Sequence, residues 1–168
     1  MADGKLLLMP LARCGLEFLR GLRNDPAIAE YLFSDPGYIS QERQEAWWRD
    51  YLRDKDSLIF IAHLPSWTRI GYAQATHIDN HNCSCEAGFY ISPSYQNQGY
   101  GTALVEQFLE IAHKIMCLHR VELRVFADNA RAIHVYEKAG FVSEGLLRDA
   151  VMKAGKYRDV VIMAHIAP

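Results

Sequence analysis

The spacing of hydrophobic residues along the chain changes several times between a helical and a strand period. Near the N-terminus, Leu16, Leu19 and Leu22 recur at helical spacing. From Leu58 onward, short apolar runs alternate with turn-rich stretches, which is typical of an antiparallel meander. The pattern predicts helices over residues 15–23, 27–33, 40–54, 99–117 and 129–139. It predicts strands over residues 5–11, 57–63, 70–78, 85–91, 120–127, 141–147 and 157–166. This order predicts a mixed α/β sheet with helices on its faces.

Composition and charge narrow the class of protein. The 168 residues are 50% hydrophobic and 23% charged, which predicts one globular domain over residues 1–168. A net charge of −2 gives no basic excess for general nucleic-acid binding. The longest apolar run, residues 160–166, is far shorter than the roughly 20 residues of a membrane helix. The N-terminal apolar run lacks the features of a signal peptide. We therefore expect a cytoplasmic protein with no nucleic-acid or membrane partner.

One group of residues has the side chains that zinc prefers. His77, His81, Cys83 and Cys85 follow one another closely, but the two cysteines are not spaced as the C-x-x-C pair of a structural site. The favoured interpretation is a polar turn between two strands, with reduced thiols and no metal.

The loop before the longest predicted helix carries the candidate chemistry. It reads Gln96-Asn97-Gln98-Gly99-Tyr100-Gly101-Thr102 and follows a predicted strand. Glycines let a ligand approach the backbone, and the N-terminus of a helix offers free N–H groups and a positive dipole end, which suit a pyrophosphate. No lysine follows either glycine, as a P-loop requires. Leu104 stands where a dinucleotide fingerprint needs a small residue.

Two motifs resemble those of the GNAT superfamily of N-acetyltransferases. Gln96-x-x-Gly99-x-Gly101 is similar to its acetyl-CoA pyrophosphate motif, Arg/Gln-x-x-Gly-x-Gly/Ala. About thirty residues later, residues 129–141 resemble its second signature, N-x-x-A-x-x-x-Y-x-K-x-G-F. Residues 23–26, 145–148 and 157–160 resemble the branch that includes ribosomal-protein alanine, spermidine and nucleotide amino-sugar acetyltransferases. The resemblance implies a GNAT fold, with a mostly antiparallel central sheet splayed at the acetyl-CoA site and helices on both faces.

The resemblance implies acetyl-CoA as co-substrate, with no metal. Backbone N–H groups of residues 98–102 would hold the pyrophosphate, and the backbone of residues 89–91 would pair with the pantetheine arm. The cofactor contacts implied are Phe89, Ile91, Gln96, Gln98, Gly99, Tyr100, Gly101, Thr102, Asn129 and Tyr136.

Tyr136 and Glu86 are the candidate catalytic residues. A phenol with a pKa near 10 can give or share a proton as charge develops on the CoA sulfur, so Tyr136 is the candidate general acid. The acceptor amine must lose a proton, and Glu86 is the candidate base, directly or through water. The alternatives are a core aromatic for Tyr136, a half-exposed strand carboxylate for Glu86 and an N-cap for Asn129.

The acceptor is a small-molecule amine whose identity stays open. The candidate contacts are Arg23, Asn24, Tyr38 and His77, and the stretch from residue 39 to residue 57 most resembles nucleotide-linked amino-sugar acetyltransferases. The alternative acceptors are a polyamine and a protein N-terminus. The alternative to an enzyme is a non-catalytic module that binds acyl-CoA. The family also implies a possible homodimer.

Overall fold

The structure, a computed structural model, describes residues 6–34 and 37–168. Lys5, the first residue of the first predicted strand, lies outside the described residues. The helices are α1 (Leu16–Asn24), α2 (Pro26–Ala29), α3 (Gln41–Tyr51), α4 (Tyr100–Glu110) and α5 (Ala130–Lys138). The strands are β1 (Leu7–Pro10), β2 (Leu58–His63), β3 (Arg69–Asp79), β4 (Ser84–Ile91), β5 (Arg120–Phe126), β6 (Val142–Lys153) and β7 (Lys156–Ile166).

The strands form one seven-stranded sheet in the order β1-β2-β3-β4-β5-β7-β6. Neighbouring strands run antiparallel except β4 and β5, which run parallel because the connection between them crosses over through α4. The mixed, mostly antiparallel sheet expected from the sequence is confirmed.

Each face of the sheet has its own hydrophobic core. On one face, Leu104, Val105 and Phe108 of α4 pack against inward-facing residues of β3, β4 and β5. On the other face, α1 and α3 contribute Leu19 and Trp48, which pack with residues of β2 and β3. Helices therefore cover both faces, as the resemblance implied.

The parallel pair β4 and β5 separates halfway along its length. The strands are paired from Ser84 with Arg120 to Ala87 with Leu123, and the register ends there. Beyond that point β5 continues to pair with β7 as far as Phe126, while β4 pairs only with β3. This separation is the splay implied by the family resemblance.

Several element boundaries differ from the prediction. The helix predicted over 99–117 is an α-helix only to Glu110 and continues as a π-helical turn over Ile111–Ile115. Within the segment 27–33, only α2 is helical. The strand predicted over 141–147 extends to Lys153, since β6 continues past a register shift after Leu147. Most of β6 is exposed, so its sequence lacks the apolar alternation of a half-buried strand.

Candidate active site

A cavity of about 390 Å³ occupies the gap between the separated ends of β4 and β5. Gly88 and Phe89 of β4 line one wall, and Arg124 and Val125 of β5 line another. Unpaired backbone at the end of β4 can therefore hydrogen-bond to an extended ligand arm.

The loop between β4 and α4 closes one end of this cavity. Gly99 is the N-cap of α4 with a φ of +87°, a left-handed conformation that other residues adopt at a cost. Gln96, Gly99, Gly101 and Thr102 line the cavity, so N–H groups of the first helical turn, which have no acceptor within the helix, border the cavity. This is the arrangement that a pyrophosphate needs.

Two glutamine side chains of the loop donate hydrogen bonds to backbone carbonyl groups of the same β4–α4 connection. Nε2 of Gln96 donates to the carbonyl oxygen of Ile91 at 2.9 Å, and Nε2 of Gln98 donates to that of Ser94 at 3.0 Å. Gln98 and Tyr100 lie outside the cavity lining, and the ring of Tyr100 packs edge-on to Tyr95 with 6.3 Å between centroids. Their side chains therefore shape the loop, and cofactor binding here would use backbone groups.

Tyr136 projects from α5 into the same cavity. Its ring lies 5.9 Å from Phe89 and 5.9 Å from Phe141, and burial raises the pKa of its phenol. Within the described residues, no protein group hydrogen-bonds to its hydroxyl, which leaves the hydroxyl available to a ligand. Oδ1 of Asn129 accepts a hydrogen bond from the backbone N–H of Ala132 at 3.2 Å and so caps α5. Asn129 also lines the cavity, so the cap does not remove it from the site.

Glu86 lies on the face of the sheet that α1 and α3 cover, because its neighbours Cys85 and Ala87 face α4. It is the last residue but one before the pairing of β4 with β5 ends. Its Oε2 is 3.6 Å from Nδ1 of His77 and 3.8 Å from Nε of Arg124. A quarter of its side chain is exposed. Its neighbours Ala87 and Gly88 line the cavity, although Glu86 itself does not. The carboxylate can thus receive a proton at the edge of the gap.

None of the four candidate acceptor contacts lines this cavity, but two of them are linked to its wall through neighbouring residues. The guanidinium of Arg23 lies 5.1 Å from the ring centroid of Trp47 and 5.7 Å from that of Tyr72. Tyr72 stacks on Tyr90, with 4.6 Å between centroids, and Tyr90 lines the cavity. His77 is exposed beside Glu86, at a φ of +51°.

The other two candidates, Asn24 and Tyr38, make hydrogen bonds that hold the segment just before α3. The side-chain amide of Asn24 accepts from the backbone N–H of Ile39 at 2.9 Å and donates to its carbonyl at 3.0 Å. Tyr38 is 72% exposed, and its hydroxyl accepts from Arg20 at 3.2 Å. A direct contact of either residue with the acceptor stays a prediction, as do the roles of Arg23 and His77.

Comparison with known proteins shows which family the chain belongs to. The family model "Acetyltransferase (GNAT) family" matches residues 20–141. The chain belongs to the GNAT family. It is 30% identical to the spermidine N(1)-acetyltransferase of Vibrio cholerae over 94% of this chain and 91% of that enzyme. It is 26% identical to the spermidine N(1)-acetyltransferase of Escherichia coli strain K12 over 93% of this chain and 83% of that enzyme.

A solved structure gives the same result. The crystal structure of the Vibrio cholerae spermidine N-acetyltransferase in complex with CoA and spermine superimposes with a TM-score of 0.93. It is 30% identical, and the match covers 98% of this chain and 96% of that one. As a GNAT protein the chain is an acetyl-CoA-dependent N-acetyltransferase, which confirms the enzyme class and the co-substrate. The amino-sugar acceptor favoured by the sequence finds no support among these relatives.

Sequence reasoning missed part of the wall of this GNAT site. Ala27, Ile28, Tyr31 and Phe33 line the cavity, although they belong to the segment that joins α1 to α3. Their pattern predicted only a short helix, and nothing local to it indicated a ligand. Arg124 was also missed, yet the alternation of its strand places it on the face of Glu86, which is a usable signal.

The described residues contain neither a metal centre nor a membrane-spanning helix. Within residues 6–34 and 37–168 there is no group of three or more His, Cys, Asp or Glu side chains placed to hold a metal ion. His77, His81, Cys83 and Cys85 thus form no such group there. None of the helices in the described part of the chain is long and apolar enough to cross a membrane.

Proposed function

We propose that this N-acetyltransferase acetylates a primary amine of a polyamine of the spermidine class. The observation that carries the proposal is the similarity to spermidine N-acetyltransferases along nearly the whole chain, one of them solved with CoA and spermine. The similarity includes the N-terminal half, which in the family forms the acceptor side.

The arrangement of charges supports a cationic acceptor on the Glu86 face. A second groove, adjoining His77, is lined by Asp54, Asp56 and Asp79. Hydrogen bonds from Ser57 lower the pKa of Asp54, and donors on Asn82 lower that of Asp79, so both carboxylates stay ionised at neutral pH. Because a polyamine carries several ammonium groups, the groove gives the distal ones a place to bind while one amine reaches the gap.

The reaction is a direct attack in a ternary complex. The amine, deprotonated by Glu86 directly or through water, attacks the thioester carbonyl from the α1 and α3 face. The nitrogen of the tetrahedral intermediate gives up its extra proton to water, the carbon–sulfur bond breaks, and Tyr136 supplies a proton as charge develops on the sulfur. The phenolate then regains a proton from water. Each residue acts from its own face of the sheet, with the thioester in the gap between β4 and β5.

The test is release of the CoA thiol from acetyl-CoA with a panel of acceptors. The panel contains spermidine, spermine, a nucleotide-linked amino sugar and peptides that begin with Ala or Ser, and mass spectrometry locates the added acetyl group. We expect kcat/KM for spermidine to exceed that for the amino sugar and the peptides by at least about tenfold, or about 1.4 kcal/mol in the transition state. A higher value for the amino sugar or a peptide contradicts the polyamine proposal. Silence from every amine, with acetyl-CoA binding intact, favours a binding module.

A further inference from the structure

The turn between β6 and β7 reaches across the molecule to the segment that walls the cavity. Residues 26–34 contribute Ala27, Ile28, Tyr31 and Phe33 to the cavity lining. We call residues 26–34 the acceptor wall. After α2 the acceptor wall has little regular structure of its own, so contacts from elsewhere set its position.

Lys153, at the end of β6, binds the C-terminal half of the acceptor wall. Its Nζ donates to the carbonyl oxygen of Leu32 at 3.1 Å and to that of Ser34 at 3.4 Å. These bonds join residues more than a hundred positions apart and flank Phe33, whose ring lies 4.8 Å from that of Phe126. A charged donor on two carbonyl groups is a stronger restraint than a neutral hydrogen bond.

Arg158, early in β7, binds the middle of the acceptor wall. Its Nη1 donates to the carbonyl oxygen of Glu30 at 3.3 Å, and its guanidinium lies 5.8 Å from the ring centroid of Tyr31. The same guanidinium lies 3.9 Å from the ring centroid of Phe126 and pairs with the carboxylate of Asp128. Because Asp128 precedes the cap of α5, Arg158 also supports the cofactor side, and Lys153 is the cleaner probe.

We propose that Lys153 is a positioning residue. It holds the acceptor wall through the carbonyl groups of Leu32 and Ser34, and the wall in turn positions the acceptor. Lys153 and Arg158 fix the wall at two points, so the hairpin sets the width of the cavity where the acceptor meets the thioester. The proposal rests on the proposed function in taking a polyamine as the acceptor, and it adds that the amine that reaches the gap passes along the acceptor wall. The pyrophosphate loop lies at another part of the cavity.

The experiment compares Lys153→Met with Lys153→Arg and Lys156→Met. Methionine keeps the aliphatic stem but cannot donate, and arginine keeps the charged donor. Lys156 is an exposed lysine at the start of β7 and serves as the matched control. Steady-state kinetics with spermidine and acetyl-CoA give a KM for each substrate, and hydrogen exchange follows the backbone amides of residues 31–34.

We expect Lys153→Met to raise the KM for spermidine about tenfold, with kcat and the KM for acetyl-CoA within about twofold of the wild type. Exchange at residues 31–34 becomes faster in this variant only, and Lys153→Arg restores both properties. An unchanged spermidine KM with unchanged exchange overturns the proposal, and so does a rise confined to the acetyl-CoA KM. If the wild type does not acetylate spermidine, the polyamine proposal fails by itself. The best amine of the panel then replaces spermidine, and the exchange measurement stands without any acceptor.

Discussion

At the scale of single residues, the two catalytic candidates differ in what surrounds them. Tyr136 sits among aromatic rings, and burial raises the pKa of its phenol, so it stays protonated throughout the neutral range. Glu86 sits beside His77 and Arg124 at a partly exposed edge. A protonated phenol that lines the cavity and a partly exposed carboxylate on the opposite face of the sheet suit a reaction that removes a proton from the amine and delivers one to sulfur.

Removal of the Tyr136 hydroxyl should slow turnover with little effect on the fold. In Tyr136→Phe the ring contacts with Phe89 and Phe141 remain, so we expect acetyl-CoA affinity and Tm to stay close to those of the wild type. The kcat should fall about a hundredfold or more, the usual contribution of a general acid. Because the raised pKa keeps the phenol protonated below about pH 10, Tyr136 should contribute no limb to the kcat profile between pH 7 and 9. Thiol-release kinetics, calorimetry with acetyl-CoA and thermal melting measure these quantities. An unchanged kcat would leave Tyr136 as a core aromatic.

Loss of the Glu86 carboxylate should slow the step that needs a neutral amine. Glu86→Gln keeps the size of the side chain, and we expect kcat/KM for the amine to fall about a hundredfold. The matched control is Glu122→Gln, since Glu122 stands directly opposite Glu86 on β5 but pairs with Arg120. Rates measured for both variants between pH 6 and 9 test the assignment. Equal losses in the two variants would indicate a general charge effect and argue against a base at Glu86.

At the scale of elements, the predicted helices and strands were right wherever packing and local pattern agree. The alternation of β5 and the leucines of α1 both match a buried face, and the glycine loop leads into α4 as expected. The length of β6 could not be read from the sequence, because its pairing with β7 is decided by the turn at Ala154 and Gly155 and not by burial. The acceptor wall was missed for a similar reason, since its position depends on contacts with Lys153 and Arg158, far away along the chain.

The N-terminus of α4 should respond to a single methyl group. Gly99 has a φ of +87°, with open space where a Cβ would lie, so Gly99→Ala meets backbone strain of about 1–2 kcal/mol but no protein clash. We expect a modest fall in Tm and a rise of about tenfold in the KM for acetyl-CoA, because the methyl group and the altered loop disturb the pyrophosphate donors. Gly21→Ala is the control: Gly21 lies inside α1, also with open space, where alanine is neutral or slightly stabilising. Melting curves and acetyl-CoA kinetics compare the two variants. A similar acetyl-CoA KM in both would contradict the role of Gly99.

At the scale of the whole molecule, β4 and β5 are hydrogen-bonded to each other at one end and separated at the other. Cys85 lies in the hydrogen-bonded part, so its reactivity measures whether that part opens. Cys85 is paired opposite Val121 and buried, whereas Cys14 and Cys117 are exposed. Burial raises the pKa of the Cys85 thiol to about 12, helped by the carboxylates of Glu122 and Glu86. At pH 8 the native protein then holds on the order of a thousandfold less thiolate at Cys85 than at an ordinary exposed cysteine.

Thiol labelling should therefore show whether the paired part of β4 and β5 opens in solution. Labelling with and without acetyl-CoA should show whether cofactor binding opposes that opening. With a maleimide at pH 8 and peptides identified by mass spectrometry, we expect Cys14 and Cys117 to react first and Cys85 to react only as the β4–β5 pair opens. Acetyl-CoA binds the native state, so it should slow labelling of Cys85 further while Cys14 keeps its rate. The exposed cysteines are the internal control in the same sample. If Cys85 reacts as fast as Cys117, the strands part along their whole length in solution, and the gap that we propose for the thioester is not confined to the residues beyond Ala87.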